Sequence, residues 1–158
     1  MSSHGSDEEE KPCRACSDFK SWAKSQKPPK PGAPKKDSPP KPTRKDCPLD
    51  KEDLGQATWG FLHSMASYYP EKPTKAQAKS MTQFFNIFSQ FYPCEPCAID
   101  FREDLKENPP QTESRNALAQ WLCERHNTVN EKLGKPEFDC SKVHERWKDG
   151  WLDGSCDS

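Results

Sequence analysis

The stretch FSQFYPCEPCAIDF, Phe88 to Phe101, sets two cysteines three positions apart between an aromatic run and a segment with helical spacing. Pro93 has no N–H to give a preceding helical turn, so it closes the helix that carries the phenylalanines. Pro96 is tolerated in the first turn of the helix that follows, with Cys94 near its N-cap. The junction therefore reads as helix, sharp break, helix, with a CxxC pair at the head of the second. Whether that pair is a metal clip, a structural staple or a redox switch depends on what surrounds it.

Working upstream, Thr74 and Gln77 form a capping-box pattern that leads into Met81, Phe84, Phe85, Phe88 and Phe91, an aromatic-rich helix expected to be buried. Before it, Asp50 reads as the N-cap of a helix in which Leu54, Trp59, Phe61, Leu62, Met65 and Ala66 recur at roughly helical spacing until Pro70. Downstream, TESRNALAQWLCERHNTVNEKLG predicts a longer fourth helix, with Leu118, Trp121, Leu122, Val129 and Leu133 on its inner face and Gly134 as terminator. SKVHERWKDG predicts a short fifth. Strand patterns are absent, so the expected class is all-α, a small helical bundle of four helices plus a short fifth.

The chain has 158 residues, of which only 31% are hydrophobic, and half of the 16 prolines fall before Asp46. Residues 1–46 are read as a disordered Pro/Lys-rich arm, with too little apolar surface to offset the entropy of ordering, and residues 47–158 as the folded domain. The arm carries a net charge of +4 and the domain −5. A domain of that balance argues against nucleic acid as a partner. No run reaches the roughly 18–20 apolar residues of a membrane span, and MSSHGSDEEE lacks the basic-then-apolar order of a signal peptide. On these grounds alone the expected location is the cytosol.

Eight cysteines are too many for an ordinary cytosolic domain without metal or thiol chemistry. Cys94, Cys97, Cys123 and His126 read as C-x2-C and C-x2-H, a tetrahedral zinc set by type and spacing. That reading leaves Cys47, Cys140 and Cys156 outside the site and requires a separate account of Cys13 and Cys16, whereas disulfides use every cysteine. A CxxC at a helix start also has redox logic, because the helix N-terminus stabilises a thiolate and one turn brings the sulfurs within bridging distance. Trp59 and His63 lie four apart on one helix face, and Cys123, His126 and Asn130 share a face of the fourth helix. Lys132, Lys135, Lys142 and Arg146 cluster in sequence where they could answer a pyrophosphate. Together these suit a flat dinucleotide. Taken singly, the tryptophans and phenylalanines read as core, His63 as structural and Lys132 as a cation at a helix C-terminus. Two classes stay open at this point: a thiol-disulfide protein with a flat cofactor, or a non-enzymatic zinc-binding helical adaptor with a Pro-rich partner-binding arm.

Four segments in order, LGQATWGFLHSMASYYP, FSQFYPCEPCAIDF, WLCERHNTVNEKLGKPEFDCSKV and ERWKDGWLDGSC, closely resemble the FAD-linked sulfhydryl oxidase family of augmenter of liver regeneration. PCRACSDFKSW looks like the leading segment of that family's long form. The resemblance implies a helical bundle that binds FAD and oxidises protein dithiols. It makes Cys94 and Cys97 the redox pair, with Cys94 exchanging with incoming thiols and Cys97 facing the flavin, and Cys13 and Cys16 a shuttle that feeds them. It assigns Gly55, Trp59, His63 and Tyr92 to the flavin site. Cys123, His126, Asn127, Asn130, Lys132, Lys135, Arg146 and Trp147 would serve the adenosine and phosphate portion. It further implies structural disulfides Cys123–Cys140 and, between the subunits of a homodimer, Cys47–Cys156, and no metal. Gln56 follows Gly55 where the family usually carries arginine, which weakens or removes one phosphate contact. Electrons would pass to oxygen, giving hydrogen peroxide, or to cytochrome c. The implied location is the mitochondrial intermembrane space, with the disulfide-carrying import oxidoreductase there as a partner and the cytosol for a shorter form.

Overall fold

The computed structural model describes residues 46–157. The expected arm, with Cys13 and Cys16, lies outside the described residues. The first helix, α1, spans Lys51–Ser67 and starts where Asp50 accepts hydrogen bonds from the backbone N–H groups of Glu52 and Asp53. The second, α2, spans Lys75–Phe91, and its capping box is complete, with Thr74 and Gln77 satisfying each other's backbone N–H. The third, α3, runs over Glu95–Glu107 with Cys94 at the N-cap and a proline in its first turn. The fourth, α4, spans Arg115–Lys132 and is capped by Ser114. Past its end, Gly134 takes φ 67°, the left-handed conformation that closes helices at little cost only for glycine.

Helix α1 packs on α4, and α2 on α3. Between them Leu62, Ala66 and Tyr69 meet Phe85, Leu105, Leu118, Trp121 and Leu122 in one core. Phe85 and Trp121 cross edge to face at 4.9 Å, and the Trp121 indole N–H donates to the Asn108 carbonyl at 3.0 Å. Beneath them Arg125 of α4 meets Asp104 of α3 at 2.9 Å, a largely shielded ion pair that ties the two helices. The class is all-α, as expected, and among the described residues no helix is long and apolar enough to cross a membrane.

The expected short fifth helix forms over residues 140–149, opening as a 3-10 turn at Cys140–Lys142 and closing as a π turn at Glu145–Asp149. The segment is covalently held at Cys140 and stopped by Gly150 at φ 83°, and within that short span it buries Val143 against Cys123 while laying Trp147 on α1. Helix α2 is less buried than its aromatic content suggests; Phe85 is fully enclosed, whereas Phe91, in the last turn beyond the core, is 77% exposed. Phe61 is also exposed, because it precedes the buried Leu62 by one residue and so points about 100° away from it.

Candidate functional site

A cavity of about 850 Å³ opens between the N-terminal half of α1, the C-terminal half of α4 and the segment after Cys140. That volume lies within the roughly 300–1,000 Å³ of small-molecule sites. Its inner wall is made of flat rings. Trp59 stacks on His126 at 4.0 Å and 6°, and His63 stacks on Trp147 at 4.8 Å and 3°. His63 Nε2 and His126 Nδ1 share a hydrogen bond of 2.9 Å that joins the two stacks. The four-residue step from Trp59 to His63 puts both on one face of α1, so the local sequence alone aims them together.

Both imidazoles stay neutral at ordinary pH. Burial first, then the neighbouring His126 and Arg146, lowers the His63 pKa to about 3. Burial, then Lys135, lowers that of His126 to about 4. Charge is confined to the rim, where Lys51, Lys135 and Arg146 face the opening beside Asp50 and Glu52. Lys135 meets Glu52 at 3.7 Å across that rim, and the Arg146 guanidinium lies 4.2 Å over the Trp147 ring. The cavity is thus apolar and planar inside and cationic at its mouth, an arrangement suited to a ligand with a flat ring system and an anionic linker.

Two further observations fit an aromatic ligand with polar edges. His63 is 2% exposed, yet its Nδ1 has no hydrogen-bond partner. At Gly55, on the cavity wall, a side-chain methyl would meet nothing within 4 Å, so bare helix backbone faces open space. A glycine in mid-helix costs about 1 kcal/mol relative to alanine, and here the cost leaves room for another molecule to approach.

The Cys94–Cys97 disulfide stands at the head of α3, with its Cα atoms 5.3 Å apart. The second disulfide, Cys123–Cys140, staples the post-helical segment to α4 with Cα atoms 5.8 Å apart. Asn127 reinforces the staple: its amide donates to the Phe138 carbonyl at 2.8 Å and its oxygen accepts the Phe138 N–H at 2.9 Å. The four residues of the zinc reading are thus divided. Cys94 and Cys97 pair with each other, Cys123 pairs with Cys140, and His126 is bonded to His63. Cys47 and Cys156 are free and exposed in the single chain.

Of the residues singled out in the sequence, the cavity gathers Gly55, Trp59, His63, Cys123, His126, Asn127, Asn130, Lys135, Arg146 and Trp147. It does not gather Lys132, whose ammonium is held by both carboxylate oxygens of Asp100 at 2.7 Å, nor Lys142. Tyr92, Cys94 and Cys97 also stand outside the lining. Tyr92 instead shares a side-chain hydrogen bond with Thr58, which adjoins Trp59 on α1, while burial pushes its phenol above the ordinary value. Cys94 is 1% exposed, and Cys97 is the more open of the two. Sequence reasoning missed Lys51, Glu52, Gly60 and Phe138 on the cavity wall. Gly60 carried a signal, since it lies one residue past Trp59 and brings the Trp147 ring to 4.0 Å from where its methyl would be.

The sequence profile of the Erv1/Alr family matches residues 56–148. The mitochondrial FAD-linked sulfhydryl oxidase ERV1 of Saccharomyces cerevisiae is 55% identical over 108 residues, covering 68% of this chain and 57% of its own length. The FAD-linked sulfhydryl oxidase ERV1 of Arabidopsis thaliana is 52% identical over 100 residues, covering 63% and 52%. The chain therefore spans little more than half the length of these curated relatives. Among solved structures, the yeast Erv1 core superposes with a TM-score of 0.67 at 54% identity, over 72% of this chain and 97% of that one. The FAD binding domain of Erv1 from Saccharomyces cerevisiae gives a TM-score of 0.64 at 54% identity, over 66% and 99%. Since the profile takes in both ring stacks, the CxxC pair and the stapled segment, and covers more than half of the residues, the chain belongs to the Erv1/Alr family.

Proposed function

We propose that the chain is an FAD-dependent thiol oxidase that forms disulfide bonds in protein substrates. The observation that carries this reading is a cleft walled by two ring stacks with a cationic mouth, one helix away from a CxxC disulfide. The rings of Trp59, His63, His126 and Trp147 would form an aromatic wall for flat heterocycles, and His63 Nδ1 and Asn130 would answer their polar edges. Lys51, Lys135 and Arg146 would meet the phosphates, with Lys51 supplying charge near Gln56. Lys132, committed to Asp100, is not needed for this.

A substrate thiolate attacks one sulfur of Cys94–Cys97, the S–S bond opens, and the leaving sulfur departs as a thiolate beside the N-terminus of α3, which stabilises it. A second substrate thiolate then attacks the substrate sulfur of this mixed disulfide and displaces the enzyme cysteine as a thiolate, which releases the substrate disulfide and leaves a dithiol at Cys94 and Cys97. In this reading Cys94 exchanges with the incoming thiol and Cys97 faces the flavin, and because Cys94 is enclosed, attack there requires the Pro93–Cys94 turn to open. When bound, FAD supplies two-electron oxidation of that dithiol, with oxygen or cytochrome c as the final acceptor. The same reading makes Cys13 and Cys16 the shuttle for folded substrates, including the import oxidoreductase of the intermembrane space. It also makes the protein a mitochondrial homodimer joined through Cys47 and Cys156.

A visible spectrum of the purified protein tests the reading. Flavin bands that bleach with dithiothreitol under anaerobic conditions and return in air are expected. A colourless protein with stoichiometric zinc would overturn it.

A further inference from the structure

Arg102 of α3 lies outside the cavity, and no step above uses it. Its position answers a local problem set by Pro93. In a continuing helix the Ser89 carbonyl would accept the N–H of residue 93, and proline has none. Arg102 Nη1 donates to that carbonyl at 2.7 Å, replacing the missing donor. The same guanidinium reaches the Glu95 carboxylate through Nη2 at 3.4 Å. Glu95 is one of the two residues enclosed by Cys94 and Cys97. One side chain therefore spans the end of α2, the proline break and the loop of the disulfide itself.

We propose that Arg102 is a positioning residue for the Cys94–Cys97 pair, which holds the break between α2 and α3 in place and screens the Glu95 carboxylate so that the reduced pair is favoured. The inference rests on the reading of Cys94–Cys97 as the redox pair. When that disulfide accepts two electrons the S–S bond breaks, and negative charge appears at the head of α3 on whichever sulfur is left as thiolate. In the disulfide state there is no such charge. An uncompensated carboxylate beside the pair therefore opposes reduction alone, and a guanidinium held against that carboxylate removes the opposition. Stabilising the reduced form raises the reduction potential of the couple.

The test equilibrates the full-length protein, without air, against mixtures of glutathione and glutathione disulfide. The dithiol plus one glutathione disulfide gives the protein disulfide plus two glutathione molecules, and differential alkylation with mass spectrometry reads the Cys94–Cys97 peptide. Arg102→Gln is expected to move this equilibrium about threefold toward the protein disulfide, the effect of one partly exposed ion pair, or about 14 mV at about 30 mV per tenfold. Adding Glu95→Gln to it is expected to restore the wild-type value, which a loss of packing alone would not do. An unchanged equilibrium in Arg102→Gln, or the same shift persisting in the double variant, would overturn the proposal. Should Arg102→Gln lose its cooperative thermal transition, Glu95→Gln alone decides: it removes an exposed carboxylate, leaves the guanidinium in place and is expected to shift the equilibrium about threefold toward the dithiol. No shift there would equally overturn it. Failure of the redox reading itself would show separately, as a wild-type flavin that dithiothreitol does not bleach, because the glutathione equilibrium is read on the cysteines alone.

Discussion

His63 and His126 occupy the centre of the cavity wall, and their burial has a consequence for stability. Each binds a proton near pH 6.5 when unfolded but only near about 3 and about 4 in the native chain. Above pH 6.5 neither state is protonated and nothing is lost. As pH falls below 6.5 the unfolded state gains protons that the native state refuses, so stability should decline by about 1.4 kcal/mol per pH unit for each histidine until the native groups titrate. Urea midpoints between pH 7 and pH 5 should fall accordingly, and His63→Asn should flatten the slope. Gly55→Ala should act oppositely on fold and site. It should raise helix stability by about 1 kcal/mol while loosening flavin retention, measured as thermal release of flavin fluorescence, because the added methyl enters the space the ligand needs. Trp59, His63 and His126 were legible from sequence because each partner is three or four residues away on its own helix or belongs to an obvious ring cluster. Lys51 and Glu52 were not, since they gain meaning only when the start of α1 meets the end of α4 at Lys135, a contact between residues more than eighty positions apart.

The helices were readable for a physical reason: each of the four begins at a residue whose signal survives in the sequence. Asp50, Thr74 and Ser114 cap with their own oxygens, and Cys94 is followed by a proline that only a first turn accepts. The short fifth helix begins at a cap too, with Asp139 accepting from the Ser141 N–H, but its 3-10 and π geometry had no spacing signature. Between elements, the tie from Asp104 on α3 to Arg125 on α4 has no spacing signature either. It is largely shielded, with side-chain exposures of 16% and 13%, and Asp104 also accepts from Asn108 at 2.9 Å. Asp104→Ala would leave a guanidinium with little water and no adjacent acid from α3, and should cost about 3 kcal/mol, read as a lower urea midpoint with the flavin spectrum retained.

At the scale of the molecule, the proposed route from substrate to flavin divides between the arm and the domain, and the two halves can be tested apart. Replacing both Cys13 and Cys16 with serine should leave oxidation of dithiothreitol nearly intact, since a small thiol reaches the Cys94–Cys97 pair without the arm. Most activity toward a folded protein dithiol should be lost, and equal rates for wild type and double variant on that substrate would remove the shuttle from the mechanism. The domain has its own asymmetry. Two sides of the cavity belong to the packed helices α1 and α4, but Arg146 and Trp147 arrive on a segment that buries Val143 alone and is anchored to α4 at Cys140. Opening of this outer wall would break the His63–Trp147 stack and the packing of the segment on α1, and need not unfold the helices beneath. The residence time of a bound flavin should therefore follow the opening of a stretch of about a dozen residues rather than global unfolding, and reducing Cys123–Cys140 should shorten that time before it melts the bundle.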